Sequence, residues 1–89
     1  MITRNNLPSI LYDILKQFGG SATMMDVFKK FWADNKHKLN EADDIFYTWN
    51  YDIRWAATQL RKQGKMKPAT TKENTHGSNM SPKGVWEIF

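Results

Sequence analysis

The sequence predicts a mainly helical fold closed by a small β-hairpin, and three observations carry that expectation. Apolar residues recur at three- and four-residue spacing in separate stretches before residue 64, the mark of helices with one buried face. Glycines stand where the first and last of these stretches stop, at Gly19-Gly20 and Gly64, where the left-handed conformation that ends a helix favours glycine. The segment from Gly84 to Phe89 alternates large apolar and polar side chains, as a strand does.

The first helix opens at Leu7-Pro8, because proline is tolerated early in a helix where its missing N–H has no partner to lose. Leu7, Ile10, Leu11, Ile14, Leu15 and Phe18 form its stripe. Ser21-Ala22 reads as a short strand. Thr23 with Asp26 three residues on resembles a capping box and starts a second helix with Met24, Val27, Phe28 and Phe31 inward and Trp32 beside them. Asn35-Lys36-His37-Lys38 is a polar break.

Asn40-Glu41-Ala42-Asp43-Asp44 reads as the start of a short third helix, since a polar cap and first-turn acids suit the positive helix end. Ile45 and Phe46 are expected to pack inward, and Thr48-Trp49-Asn50 to form a turn before a longer helix from Tyr51 to Gln63. Lys65-Met66-Lys67 would be the first strand of the hairpin, cut short by Pro68. Residues 69–82 are small, polar and without period, which reads as a mobile loop. Gly84 to Phe89 would return as the second strand, with Val85 and either Ile88 or Phe89 turned to the core. Three or four helices followed by a two-stranded wing make a single winged helix-turn-helix domain over 1–89.

Composition bounds the function. There is no cysteine, which excludes disulfides and thiolate metal sites, and no apolar run fit for a signal or a membrane span. A cytoplasmic protein without membrane contact is expected. The formal net charge is +4, unevenly spread. Up to Ile53 there are six Lys/Arg against seven Asp/Glu; from Arg54 onward there are seven against two. One basic end suggests a face that meets a polyanion.

Placing residues 49 to 64 on a helical wheel at about 100° per residue puts Trp49, Ile53, Ala56, Ala57 and Leu60 on one apolar arc. The opposite arc presents Tyr51, Arg54, Thr58, Arg61 and Lys62, with Trp55 at its margin. Long cations and small hydrogen-bonding groups on one helix face suit the major groove of duplex DNA, which admits a single helix and offers guanine edges to arginine. Asp52 beside this arc would repel phosphate unless it pairs with Arg54 or a nearby lysine, or caps a helix start near Asn50. Lys72, His76 and Lys83 fall in the hairpin loop. A wing carrying such cations can follow the backbone into the minor groove, with Lys72 and Lys83 steadying it.

The runs from Leu11 to Gly20, from Trp55-Ala56-Ala57-Thr58-Gln59-Leu60 through Gly64-Lys65, and from Ser81 through Gly84-Val85-Trp86 to Ile88 together resemble the N-terminal winged-helix domain of Mrr-type restriction endonucleases. The resemblance implies a module that brings a nuclease to DNA, sometimes in modification-dependent restriction, and it makes Trp55 a packing position more than a base contact. The cleavage domain of such proteins has no counterpart here, which leaves a stand-alone regulator or the specificity part of a fused nuclease.

No catalytic site, metal or cofactor is expected. Asp34-Asn35-Lys36 has the spelling of half a metal-dependent nuclease motif but falls at a helix end with no strand to align it. His37 and His76 lie in separate polar segments without a relay, and Gly19-Gly20 follows a helix where a phosphate loop precedes one. The competing reading is a protein-interaction or dimerisation module on the same scaffold, with Trp32, Tyr47 or Trp49 as exposed anchors. Exposure of Trp32 or Tyr47 would favour a homodimer on a two-fold DNA site.

Overall fold

In the computed structural model, which describes residues 2–68 and 84–89, the chain is mainly helical with one small antiparallel sheet. A single 3-10 turn, Arg4–Asn6, leads into α1, Leu7–Gln17. The Asn6 side chain accepts from the Thr3 backbone N–H at 2.8 Å, and the Asn6 N–H returns to the Thr3 carbonyl at 3.0 Å. Ile2, just outside that turn, is buried. The stripe expected for α1 is the buried one: Leu7, Leu11, Ile14 and Leu15 are sealed and Ile10 is half-buried. Phe18 lies past the last helical residue and is exposed. Gly19 and Gly20 follow at φ 81° and 107°, and Gly20 donates back to the Leu15 carbonyl at 2.8 Å.

β1, Ser21–Thr23, runs into α2, Met24–Asn35, whose first turn is capped as expected: the Thr23 hydroxyl accepts from the Asp26 N–H at 3.1 Å. Val27 and Phe31 are buried, with Met24 and Phe28 partly so. The polar break begins later than the sequence suggests. Asn35 is helical and buried, its side-chain amide donating to the Phe31 carbonyl at 3.0 Å, and a 3-10 turn spans Lys36–Lys38.

The third helix differs from expectation at both ends of its first half. Residues 40–44 form turns, held by the Asn40 side chain accepting from the Ala42 N–H at 2.9 Å, a local bond that competes with helix. α3 then runs unbroken over Ile45–Lys62, so Thr48-Trp49-Asn50 is helix and makes no turn. Nothing in that tripeptide forces a break, and the Trp49 ring holds it in place by stacking on Phe31 and Trp32 at centroid distances of 5.2 and 5.7 Å. Burial of a large aromatic surface outweighs the weak turn propensity of Thr and Asn. Ile53, Ala56, Ala57 and Leu60 complete the face that α3 turns to α1 and the core.

The sheet also corrects the expected hairpin. β2, Val85–Glu87, makes its regular ladder with β1, antiparallel, pairing Ala22 with Trp86. The 65–67 segment lies on the other side of β2 and contributes one bridge, Met66 with Ile88, plus a bond from the Lys67 N–H to the Glu87 carbonyl at 2.8 Å. Within β2 the inward residue is Trp86, at 7% exposure, while Val85 and Ile88 are half-buried and Phe89 is exposed. The pairing register puts the indole against Phe28, edge to face at 6.2 Å, and a strand that sends 86 inward must send 85 and 87 aside.

Candidate nucleic-acid interface

α3 carries its apolar arc into the core and leaves the opposite arc bare, so the outward side chains are fixed by an 18-residue helix anchored along its length. Tyr51, Arg54, Thr58 and Lys62 stand together on this arc, all exposed, and with Trp55 and Gln59 they line a shallow depression of about 350 Å³. Tyr51 is 69% exposed. The Thr58 hydroxyl donates weakly to the Arg54 carbonyl at 3.4 Å. The Arg54 guanidinium sits 5.7 Å from the Phe28 ring, a cation–π contact with α2, and the residue is exposed. Four of the five helix residues expected on the face are thus brought together.

Arg61 is the exception. Its side chain is half-buried, and Nε donates to the Lys67 carbonyl at 3.1 Å. Burial lowers its pKa from the ordinary guanidinium value by desolvation, although an arginine stays charged at neutral pH. On the wheel Arg61 borders Ala57, which is buried, and the strand segment after Gly64 folds back over that border. Lys72 and Lys83, expected on the wing, lie outside the described residues, as does His76.

Asp52 takes a partner the sequence does not suggest. It is buried at 8% exposure, and among the described residues neither Arg54 nor a lysine pairs with it. Arg4 Nε stands 3.4 Å from one carboxylate oxygen and the Thr48 hydroxyl donates to the other at 2.7 Å. The same guanidinium lies over the Trp55 ring at 4.1 Å. Trp55 is half-buried and engaged in packing.

Tyr47, read from the sequence only as a candidate exposed anchor for a partner, also lies on this face, which the expected turn at 48–50 conceals by assigning it to another helix. It is 68% exposed one turn before Tyr51. Counting back four and seven residues from Tyr51 and Arg54 finds it once the helix is taken as continuous. Beside it an aromatic edge reaches the surface: Phe46 packs edge to face on both Tyr47 and Trp32, at 5.0 and 6.2 Å, and Trp32 is 37% exposed.

The remaining candidates have ordinary surroundings. Asp34 pairs with Lys30 at 3.0 Å one helical turn away, and His37 is exposed in the 3-10 turn after α2. Lys67 pairs with Glu87 across the strands. Among the described residues no group of three His, Asp or Glu stands close enough to hold a metal ion, and no helix is long and apolar enough to cross a membrane. In comparisons with known proteins, the chain matches no family model, no curated protein and no solved structure.

Proposed function

We propose that this chain is a double-stranded DNA-binding module of winged-helix type that places α3 in the major groove. The observation that carries the reading is the uncovered line Tyr47, Tyr51, Arg54, Thr58 and Lys62 along one side of a single rigid helix. A helix of this kind matches the groove in width, and its arginine and hydroxyl offer the hydrogen-bond groups that base edges accept and donate. The element order supports the same fold: α1, β1, α2, α3, the 65–67 segment and β2, with β1 and the 65–67 segment flanking β2. In such a domain the wing is the connection between the last two strands, here residues 69–83, which lie outside the described residues.

Charge decides which part of α3 goes deepest. Glu41, Asp43 and Asp44 precede its first turn, whereas Arg54, Lys62 and Lys65 are exposed along and just beyond its second half. Phosphate therefore favours the C-terminal half. Arg54 and Thr58 stand nearest the bases and Tyr51 and Lys62 nearest the backbone, with Lys72 and Lys83 as wing cations. Arg61 leaves this set for the structural role described above. The resemblance to Mrr-type restriction endonucleases makes a restriction system the context in which such a module would serve a fused nuclease, with a stand-alone regulator as the other form.

The exposed Trp32 and Tyr47, joined by half-buried Phe46, favour one further reading, a contact with a second copy on a two-fold DNA site. Titrating labelled mixed-sequence duplex at low and at raised salt tests the main proposal. Binding should be measurable at low salt and fall steeply, with a slope of about 0.9 per phosphate contact. Absence of binding at low salt overturns it and leaves a protein-interaction module.

A further inference from the structure

Asp52 poses a problem for a helix that approaches a polyanion. Its carboxylate lies just outside Trp55, at the margin of the arc next to the core, and a full negative charge there would oppose phosphate along the Trp55 side of the face. The chain meets this with a residue from another element. The 3-10 turn at Arg4–Asn6 is anchored on one side by buried Ile2 and closed by the reciprocal bonds of Thr3 and Asn6. This anchoring sends the Arg4 side chain across to α3, where it meets Asp52 at 3.4 Å and covers the Trp55 ring at 4.1 Å. Thr48 occupies the second carboxylate oxygen, so both oxygens of Asp52 have partners.

We infer that Arg4 is a positioning residue for DNA binding: it neutralises Asp52 and holds Trp55 as the wall of the α3 depression, and so makes the face receptive to phosphate without itself being a base reader. The inference rests on the DNA-binding reading above and adds to it a residue from outside the helix. The pair joins a buried carboxylate to an arginine that is half exposed at 48%, so removing Arg4 also destabilises the fold by leaving the Asp52 charge short of a partner. The value of the pair for binding lies in the sign of the potential beside the groove-facing residues.

The test compares wild type, Arg4→Met, Arg4→Lys, Asp52→Asn and the double variant Arg4→Met with Asp52→Asn. Each is titrated against one labelled mixed-sequence duplex at low salt, with thermal melts by circular dichroism to confirm that it is folded. Arg4→Met should weaken binding by about fivefold, the order expected for one uncompensated charge at screened distance. Arg4→Lys should keep most of the affinity, since it keeps the charge. The double variant should return to within about twofold of wild type, because a neutral amide in place of the Asp52 carboxylate needs no compensation.

A double variant as weak as Arg4→Met would mean that Arg4 acts otherwise than by neutralising Asp52, and would overturn the inference. So would an Arg4→Met protein that is folded and binds like wild type. Failure of wild type itself to bind duplex would instead remove the DNA-binding reading, and the two failures are therefore distinct.

Discussion

Arg61 donates from Nε to the carbonyl of Lys67 at 3.1 Å, reaching over the Gly64 turn to hold the strand segment that follows α3. The backbone runs the same way, with the Lys65 N–H bonded to the Leu60 carbonyl at 2.9 Å and Gly64 at φ 75°. Lys67 in turn bonds β2 through its N–H and pairs with Glu87. A cation that the helical wheel assigns to DNA is thus the clasp between the helix and the sheet.

Arg61→Ala should therefore act on stability more than on binding. A hydrogen bond from a charged donor at a half-exposed site is worth about 1 kcal/mol, to be read as a lower urea midpoint with the slope unchanged. Its effect on duplex affinity should be smaller than that of Arg54→Ala. The lowered pKa of Arg61 has a sign that can be worked out. Folding leaves it binding protons less readily than the unfolded chain, so its contribution to stability rises with pH across the interval between the folded and unfolded values. That interval is strongly alkaline, so removing Arg61 should leave the shape of the stability profile around neutrality unchanged.

Continuity of α3 through Thr48-Trp49-Asn50 gives a second test. Proline at a turn is tolerated, while in a helix interior it removes a backbone bond and clashes with the preceding turn, at about 3 kcal/mol. Asn50→Pro should cost that amount in urea denaturation, and a near-neutral effect would argue for a break at this point.

What the sequence made legible was whatever periodicity determines. The stripes of α1 and α2, the Thr23 cap and the inward Ile53, Ala56, Ala57 and Leu60 all follow from spacing alone. Residues 40–44 lose their expected helix to a local bond, the Asn40 side chain accepting from the Ala42 N–H; the other errors depend on contacts remote in sequence. Thr48-Trp49-Asn50 has turn-like composition, but stacking of Trp49 on α2 keeps it helical. Arg61 and Arg54 look alike on a wheel, and only the fold-back of 65–67 separates them. Asp52 pairs with Arg4 from the turn that precedes α1, a partnership no local pattern encodes.

The register of β2 can be checked by two truncations that strand alternation alone would rank in the opposite order. Trp86 packs against Phe28 in the core, whereas Val85 is half-buried at the edge of the ladder. Trp86→Ala should cost about 3 to 4 kcal/mol and Val85→Ala about 1 kcal/mol by chemical denaturation. A larger cost at Val85 than at Trp86 would mean that β2 pairs with β1 in a different register, since a one-residue slip exchanges the two faces.

The α3 face makes the sharpest functional comparison, because stability and binding should separate. Arg54→Ala, Lys62→Ala and Tyr47→Ala remove exposed groups, and substitutions at such positions usually change stability by no more than about 0.5 kcal/mol. Their effects on duplex binding should differ in kind. Losing a phosphate contact at Lys62 should weaken binding to all sequences alike and reduce the salt slope by about 0.9, while losing a base contact at Arg54 should relax discrimination at one position, by about 1 to 3 kcal/mol. Tyr47 has no charge and stands toward the acidic end of α3, next to the aromatic edge with Phe46 and Trp32. Tyr47→Ala should leave the salt slope intact. If it lowers affinity for a two-fold site but not for a single site, the edge joins two copies; if it lowers both equally, Tyr47 contacts the duplex itself. Sedimentation of the Tyr47→Ala protein with each duplex separates these outcomes, and unchanged binding to both would confine the reading face to Tyr51, Arg54, Thr58 and Lys62.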